Sequence, residues 1–591
     1  PHDWLIYDVG DLYRSGDGWY RKYFTADDIF SRSYVFYFDG IYMDSTVYIN
    51  GEEAVSWTYG YSSFSTDISA YLTEGENRID VCVRYRSPNS RWYSGAGIFR
   101  NVWLYTVSPV HLNLDGIYIS PDASSGDIYV NTEAVGISSV MPPLEIIHTV
   151  YDNTGKEVFK GNYPISWSCM ECTLHLDDFT LWSLEEPVIY TLRTELAVIA
   201  DGTVLDSSEN SFGFRTIRFD PDEGFSLNGK HMKLKGVCLH HDLGCLGAAV
   251  NYSALERQLM LMKDMGANSI RTSHNMPAPE LLEICDRIGL LVNCESFDCW
   301  ERPKTEFDNA RFFAETAHRD VMSWIKRDRN HPCVILWSIG NEILDTHIDR
   351  EHGYEIAEKL VSYVRECDYK NNAFPTIGSN YIEWENAQRV GKMIGISGYN
   401  YSEHCYDEHH IKYPDTVIYG SETSSAVRSR GIYHFPASIP RLSHEDKQCS
   451  SLANSTVRWG KPAEQAWIDD RDRKFCAGQY VWAGIDYIGE PTPYDTKNSY
   501  FGIADTACLP KDIYYFYQSV WAESAKPMIH LLPCWDFNEG QEIDVIAYTN
   551  AESTELFVNG RSMGRQYIDH EHGSILHGEW KVRYERGSIT A

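Results

Sequence analysis

The chain has 591 residues, 43% hydrophobic and 14% aromatic, and a formal charge of −32. Its length exceeds what one core organises and predicts three or four domains. The acidic balance, unbroken by any Lys/Arg run, argues against a nucleic-acid or anionic-membrane partner, and no run of about 18 apolar residues predicts a membrane-spanning helix.

The opening Pro1-His2-Asp3-Trp4, without Met or a signal-like apolar stretch, reads as a trimmed start. Residues 1–108 are rich in β-branched and aromatic runs (19–24, 33–38, 45–49) broken at Asp39-Gly40, Asn50-Gly51 and Glu74-Gly75, which predicts a β-sandwich. Within it, 87–97 is a long polar and aromatic loop. Ordering such a loop costs entropy, so it is expected to serve a site. Residues 109–218 predict a second sandwich of immunoglobulin-like size, with strands at 112–119, 127–134, 144–151, 190–198 and 211–219. Nothing in that stretch carries chemistry, and it reads as a spacer.

From 219 to 527 the pattern becomes alternating strand and helix. Strands are predicted at 233–237, 268–271, 290–294, 334–337, 375–378, 393–397, 417–419 and 476–482. Helices are predicted to start at the capping-box sequence Ser253-Ala254-Leu255-Glu256, and to run over 278–287, 309–326, 354–366 and 513–521. Eight strands with helices alternating among them over about 300 residues fit a (β/α)8 TIM barrel. Residues 528–591 return to strands, with a turn at Asn559-Gly560. They read as a C-terminal β-sandwich cut off in mid-pattern, so the fold class is multidomain. Fifteen cysteines, an odd number, include Cys238, Cys285, Cys294 and Cys333 in apolar runs. They read as buried free thiols in a reducing compartment, hence the cytoplasm, with the periplasm as the alternative.

The chemistry centres on 334–342, VILWSIGNE. A buried strand that delivers an amide and a carboxylate at its carboxyl end is how a parallel barrel builds a site. Residues 417–422, VIYGSE, repeat the pattern with a second carboxylate. Two such glutamates predict cleavage of a glycosidic bond, with Glu342 as proton donor and base and Glu422 as nucleophile. Carboxyl groups about 5 Å apart would make the reaction retaining. Asn341 is a natural donor to a sugar 2-hydroxyl, and Arg271 can keep a carboxylate ionised. His240, His241 and Asp242 follow the first strand and His274 the second. They lack the spacing of a zinc site, so hydroxyl recognition is expected and no metal. Tyr401 could hydrogen-bond the nucleophile, Trp482 could form a stacking floor, and Glu295 and Asp298 stand at the end of the third strand. For each of these the competing reading is structural: an ordinary salt bridge, a scaffold tyrosine or core packing.

With these residues in place the chain resembles glycoside hydrolase family 2, the family of β-galactosidases, β-glucuronidases and β-mannosidases. Trp-Ser-Ile-Gly-Asn-Glu (337–342) is similar to the family's acid/base motif, Tyr-Gly-Ser-Glu (419–422) to its nucleophile motif and Arg-Thr-Ser-His (271–274) to its second-strand signature. Gly-Ala-Gly-Ile-Phe-Arg (95–100) resembles its sugar-binding sandwich. The resemblance implies a jelly-roll, an immunoglobulin-like domain, the barrel and a C-terminal sandwich. It also implies that His240, His274, Asn341, Tyr401 and Trp482 hold the terminal sugar. The glucuronidases carry an Asn-x-Lys signature, and here Asp495 stands where that Asn would be, before Lys497. That departure, with Gly489-Glu490-Pro491-Thr492-Pro493, resembles the smaller β-galactosidases, while Arg91 and Lys497 leave cations for a uronate. The expectation is therefore a retaining exo-β-glycosidase, first a β-galactosidase, then a β-uronidase, with a catalytically dead carbohydrate-binding scaffold as the outside alternative. Neither a cofactor nor an obligatory metal is expected. The partner is a carbohydrate, and the family resemblance implies a homodimer or tetramer.

Overall fold

Eight short apolar segments close on themselves at the centre of the molecule. The computed structural model describes residues 15–452, 455–494, 496, 498–522 and 526–591. The barrel strands are β1 (Leu234–Leu239), β2 (Ser269–Thr272), β3 (Leu291–Glu295), β4 (Val334–Asn341), β5 (Phe374–Ser379), β6 (Ile396–Asn400), β7 (Val417–Ser424) and β8 (Cys476–Trp482). All neighbours pair in parallel, and β8 returns to β1 to complete the ring. Strands buried on both faces read as continuous β-branched runs, which is why they stand out in the sequence.

The principal helices around the ring are α1 (Tyr252–Met265), α2 (Pro279–Ile288), α3 (Ala310–Asp328), α4 (His352–Cys367), α5 (Glu385–Ile394), α6 (Tyr406–Lys412), α7 (Ala463–Arg471) and α8 (Asp512–Trp521). Leu255, Leu259, Met262 and Met265 form the buried stripe of α1. Its cap is Asn251, whose side chain accepts from the Ala254 N–H at 3.0 Å, so Ser253 of the expected capping box lies inside the first turn. The sixth strand also differs from expectation. Met393 lies in the last turn of α5, which Gly395 terminates at φ +88°, and the strand begins at Ile396.

The N-terminal sandwich sets the sheet Gly16–Ala26, Gly75–Tyr85, Ser45–Ile49 and Glu52–Trp57 against the sheet Phe64–Asp67, Ser33–Phe38 and Val102–Val107. Asn50 (φ +53°) and Gly51 (φ +96°) make the two-residue hairpin that their sequence predicts. The second sandwich contains two strands that the sequence did not announce, Glu157–Ile165 and Cys169–His175. The expected strand 211–219 is broken into Val204–Phe212 and Ile217–Asp220, and Phe214 between them is buried in the core. Residues 529–590 add two three-stranded sheets around Ile543, Val545, Leu556 and Trp580.

Among the described residues, which include all fifteen cysteines, there is no disulfide. Cys169 and Cys172 have a Cys-x-x-Cys spacing, but they lie on one strand, where residues three apart face opposite ways. Among the described residues, no helix is long and apolar enough to cross a membrane.

Candidate active site

β4 is buried along its whole length and ends at Asn341. Glu342 follows in a left-handed conformation (φ +47°), and its N–H donates to the Gly378 carbonyl on β5 at 2.8 Å. Glu422 lies on β7, opposite Asn400 of β6. Both carboxyl groups line one cavity of about 390 Å³, within the range of small-molecule sites.

The two carboxyls have different partners. Glu422 Oε1 accepts from Arg271 Nη1 at 2.8 Å and Oε2 from the Tyr401 hydroxyl at 2.7 Å, with His274 Nε2 3.6 Å from Oε1. Among the described residues, Glu342 Oε1 accepts only from an amide, Asn400 Nδ2, at 3.0 Å. Asn400 also donates to Asn341 Oδ1 at 3.1 Å and accepts from Ser421 at 2.6 Å, which ties β4, β6 and β7 together at the cavity. The Glu422 carboxyl is raised to about 7: burial and then the charge of Glu342 push it up, and Arg271 and Tyr401 pull against them.

Arg271 is fully buried. Its Nη2 lies 2.7 and 2.9 Å from the Glu295 carboxylate and donates to Asn341 at 2.9 Å. A planar fork can serve Glu295, Glu422 and Asn341 at once, as an ammonium could not. His274 Nδ1 lies 2.7 Å from Glu295, and burial followed by the charge of Arg271 holds its ring well below the usual histidine range. The ring of His274 stacks on Trp482 at 5.1 Å.

The 87–97 loop of the N-terminal sandwich reaches this mouth. Arg91 Nη2 lies 3.0 Å from Asp298 and Nη1 3.5 Å from Glu490. Asp298 also accepts from Lys304 at 2.7 Å and Asn341 at 3.1 Å. Burial opposes the charge of Asp298, but Arg91 and Lys304 hold its carboxyl below the usual carboxylate range. Burial raises Glu490, which accepts from the Tyr487 hydroxyl, against the pull of Arg91.

Of the residues singled out from sequence, the cavity brings together Glu342, Glu422, Arg91, His274, Tyr401 and Trp482. Arg271, Asn341 and Asp298 do not line it; they hold the residues that do. Asp242 has no place there. Its oxygens accept from the N–H groups of Gly244 and Ile488 at 3.0 and 3.2 Å, which braces a loop, and burial raises it to about 7. His240 packs among Trp92, Tyr487, Trp482 and His274, and neither ring nitrogen has a partner among the described residues. Lys497 lies outside the described residues. Among these, two trios could bring metal-ligand atoms together, Asp286–His331–Cys333 and Glu383–His404–Cys405, and neither includes His240, Asp242 or His274.

Sequence reasoning missed Asn400, Glu490, Tyr381 and Trp459, all of which line the cavity. Asn400 carried a signal, since it is the polar residue that closes β6. Tyr381 and Trp459 sit in loops with no periodicity to mark them.

Comparison with known proteins places this geometry. The family model described as "Glycosyl hydrolases family 2, TIM barrel domain" matches residues 221–378. The models for the family's sugar binding domain and for "Glycosyl hydrolases family 2" match 10–108 and 110–215, and a domain of unknown function matches 540–591. Beta-galactosidase BoGH2A of Bacteroides ovatus is 38% identical, over all of this chain and 75% of its own length. A putative beta-glucuronidase of Formosa agariphila is 33% identical, over all of this chain and 59% of its own. Among solved structures, a beta-glycosidase from Bacteroides vulgatus superposes with a TM-score of 0.88 at 32% identity, covering 100% of this chain and 78% of that one. Bacteroides uniformis beta-glucuronidase gives 0.81 at 25% identity, over 98% and 73%. A buried parallel barrel with two glutamates in its cavity, flanked by sandwiches in this order, thus belongs to glycoside hydrolase family 2, and the chain is a retaining glycoside hydrolase.

Proposed function

We propose that the chain is an exo-β-galactosidase with Glu422 as nucleophile and Glu342 as acid/base. The observation that carries the assignment is the unequal holding of two carboxyls in one cavity. Glu422 is gripped by a guanidinium and a phenol, donors that favour its charged form. Glu342 takes one amide bond and keeps its other oxygen free among the described residues. Glu422 attacks the anomeric carbon while Glu342 gives its proton to the glycosidic oxygen. Glu342 then takes a proton from water as that water releases the sugar. Asn341 and Asn400 hold the two strand ends in register, and a site of about 390 Å³ suits a terminal sugar.

A neutral sugar follows from charge. Arg91 is the one guanidinium or ammonium group among the described residues lining the cavity, and Asp298 and Glu490 already compensate it. A uronate would meet Glu490 without a spare cation, whereas a galactose hydroxyl can donate to it. The 38% identical relative named a β-galactosidase supports the same reading. The second reading, a β-uronidase, draws on Arg91 itself and on the relative named a putative β-glucuronidase.

Rates on nitrophenyl β-galactoside, β-glucuronide and β-galacturonide separate the two. The galactoside is expected to be the best substrate. A uronide preference above about tenfold, roughly 1.4 kcal/mol of transition-state binding, would overturn galactose. Glu422→Ala should abolish turnover. Glu342→Ala should keep nitrophenyl glycoside activity while losing about 10²–10⁴-fold on poor leaving groups, because only these need the proton. Equal losses on both leaving-group types in both variants would remove the assignment of roles.

A further inference from the structure

Two aromatic side chains line the cavity, Tyr381 and Trp459, and a third, Trp384, stacks on Tyr381. Tyr381 is 52% exposed, Trp384 48% and Trp459 52%. Tyr381 and Trp459 line the same cavity as Glu342 and Glu422. Tyr381 and Trp384 stack face to face at 4.7 Å with 19° between their planes. The buried His347 braces both rings edge-on at 5.5 and 5.8 Å. His347 lies in the short helix Leu344–Ile348, which starts two residues after Glu342. The pair is therefore anchored to the segment that carries the proposed acid/base. Trp459 is fixed separately, its Nε1 donating to Ser425 at 3.2 Å.

The side of the cavity on which the Tyr381–Trp384 pair stands decides its use, with Trp459 lining the same cavity from the segment after Glu422. An acid/base must face the glycosidic oxygen, so the leaving group lies on the Glu342 side, next to Asn380 and Tyr381. The lining there is not purely apolar. Asn380 Oδ1 is buried without a hydrogen-bond partner among the described residues, and the Glu383 carboxylate also borders the cavity. An apolar aglycone would cover Asn380 Oδ1 and leave it unpaired, at a cost in desolvation, and would set apolar surface against the Glu383 carboxylate, whose Oε1 lies 2.9 Å from His404 Nε2. A sugar ring offers a C–H face to an aromatic side chain and hydroxyl donors at its rim, and so satisfies both.

We propose that Tyr381, Trp384 and Trp459, with Asn380, form a leaving-group subsite for a saccharide, so that the substrate is a β-linked oligosaccharide rather than the glycoside of a small or apolar alcohol. This rests on the assignment of Glu342 as acid/base.

The test compares kcat/KM for a β-galactosyl-glucose disaccharide with that for β-galactosyl fluoride, whose one-atom leaving group cannot reach the rings. The ratio is taken within each protein and so cancels any loss of folded enzyme. It should fall about tenfold in Tyr381→Ala, Trp384→Ala and Trp459→Ala, and stay within about twofold of the original in Tyr381→Phe and Trp459→Phe, which keep a ring. An unchanged ratio in the alanine variants, or an equal fall in the phenylalanine variants, would overturn the subsite. If the unaltered enzyme turns over uronosyl rather than galactosyl substrates, the galactose reading falls. The same ratio, measured with a uronosyl disaccharide and fluoride, then decides the subsite.

Discussion

Glu422 is a carboxyl that must be ionised to attack, in a setting where burial alone would keep it protonated. Its pKa near 7 is the balance of that burial against Arg271 and Tyr401. A nucleophile works deprotonated, so kcat/KM is lost as pH falls through this value, and the acid limb is expected near pH 7, well above the ordinary carboxylate range. Tyr401 donates to the charged form. Tyr401→Phe removes a hydrogen bond to a charged group, worth about 1.5–3 kcal/mol, and should move the limb upward by about one pH unit or more. Activity at pH 6 should then suffer more than activity at pH 8. A pH–rate profile of the variant checks this. A uniform fall with the limb unmoved would mean that the phenol acts through geometry instead.

At the level of the barrel strand, close packing places the arginine. An added Cβ at Gly378 of β5 would lie 2.8 Å from Arg271 Nη2 and 3.4 Å from both Asn341 Oδ1 and Ser421 Oγ. Gly378→Ala should therefore displace the guanidinium that holds Glu422. The expected result is a fall of about 10²-fold in kcat, as for a misplacement near 1 Å, with about 1–3 kcal/mol lost in stability from overpacking. Steady-state kinetics with a denaturant melt measure both; a near-normal kcat would show that the position of Arg271 is not critical. The strands themselves were legible because burial on both faces forces apolar runs, and Glu342 and Glu422 were legible as the polar residues closing two of them. The start of β6 was not, since Met393 and Ile394 continue the apolar pattern and only the left-handed Gly395 separates helix from strand. Gly378 carried no signal either, because what it makes room for comes from β2 and becomes adjacent only when the ring closes.

The whole molecule adds what the barrel lacks. The 87–97 loop crosses from the N-terminal sandwich, its Tyr93 N–H donating to Ile488 O at 2.9 Å beside Glu490, and it delivers Arg91 into the cavity and Trp92 against His240 and His274. Such a crossing depends on how domains dock, which no local pattern records; the sequence marked the loop as one that serves a site and Arg91 as a candidate cation, but not what they would dock against. Arg100, just beyond the loop, rivets this docking. It is buried, stacks over Phe99, and donates to Met276 O at 2.7 Å on the barrel side and to Tyr61 O at 2.9 Å in the sandwich. Arg100→Met keeps the volume and removes the donors. It should cost about 2–3 kcal/mol, lower the melting temperature, and reduce kcat/KM because the Arg91 loop loses its seat. Arg91→Met, made inside the cavity, should lower kcat/KM with little change in melting temperature, since Lys304 still compensates Asp298. Measured together, the two variants separate docking from recognition. If Arg100→Met melted early yet kept full kcat/KM, the sandwich would be a stabilising neighbour and the barrel would hold the sugar without it.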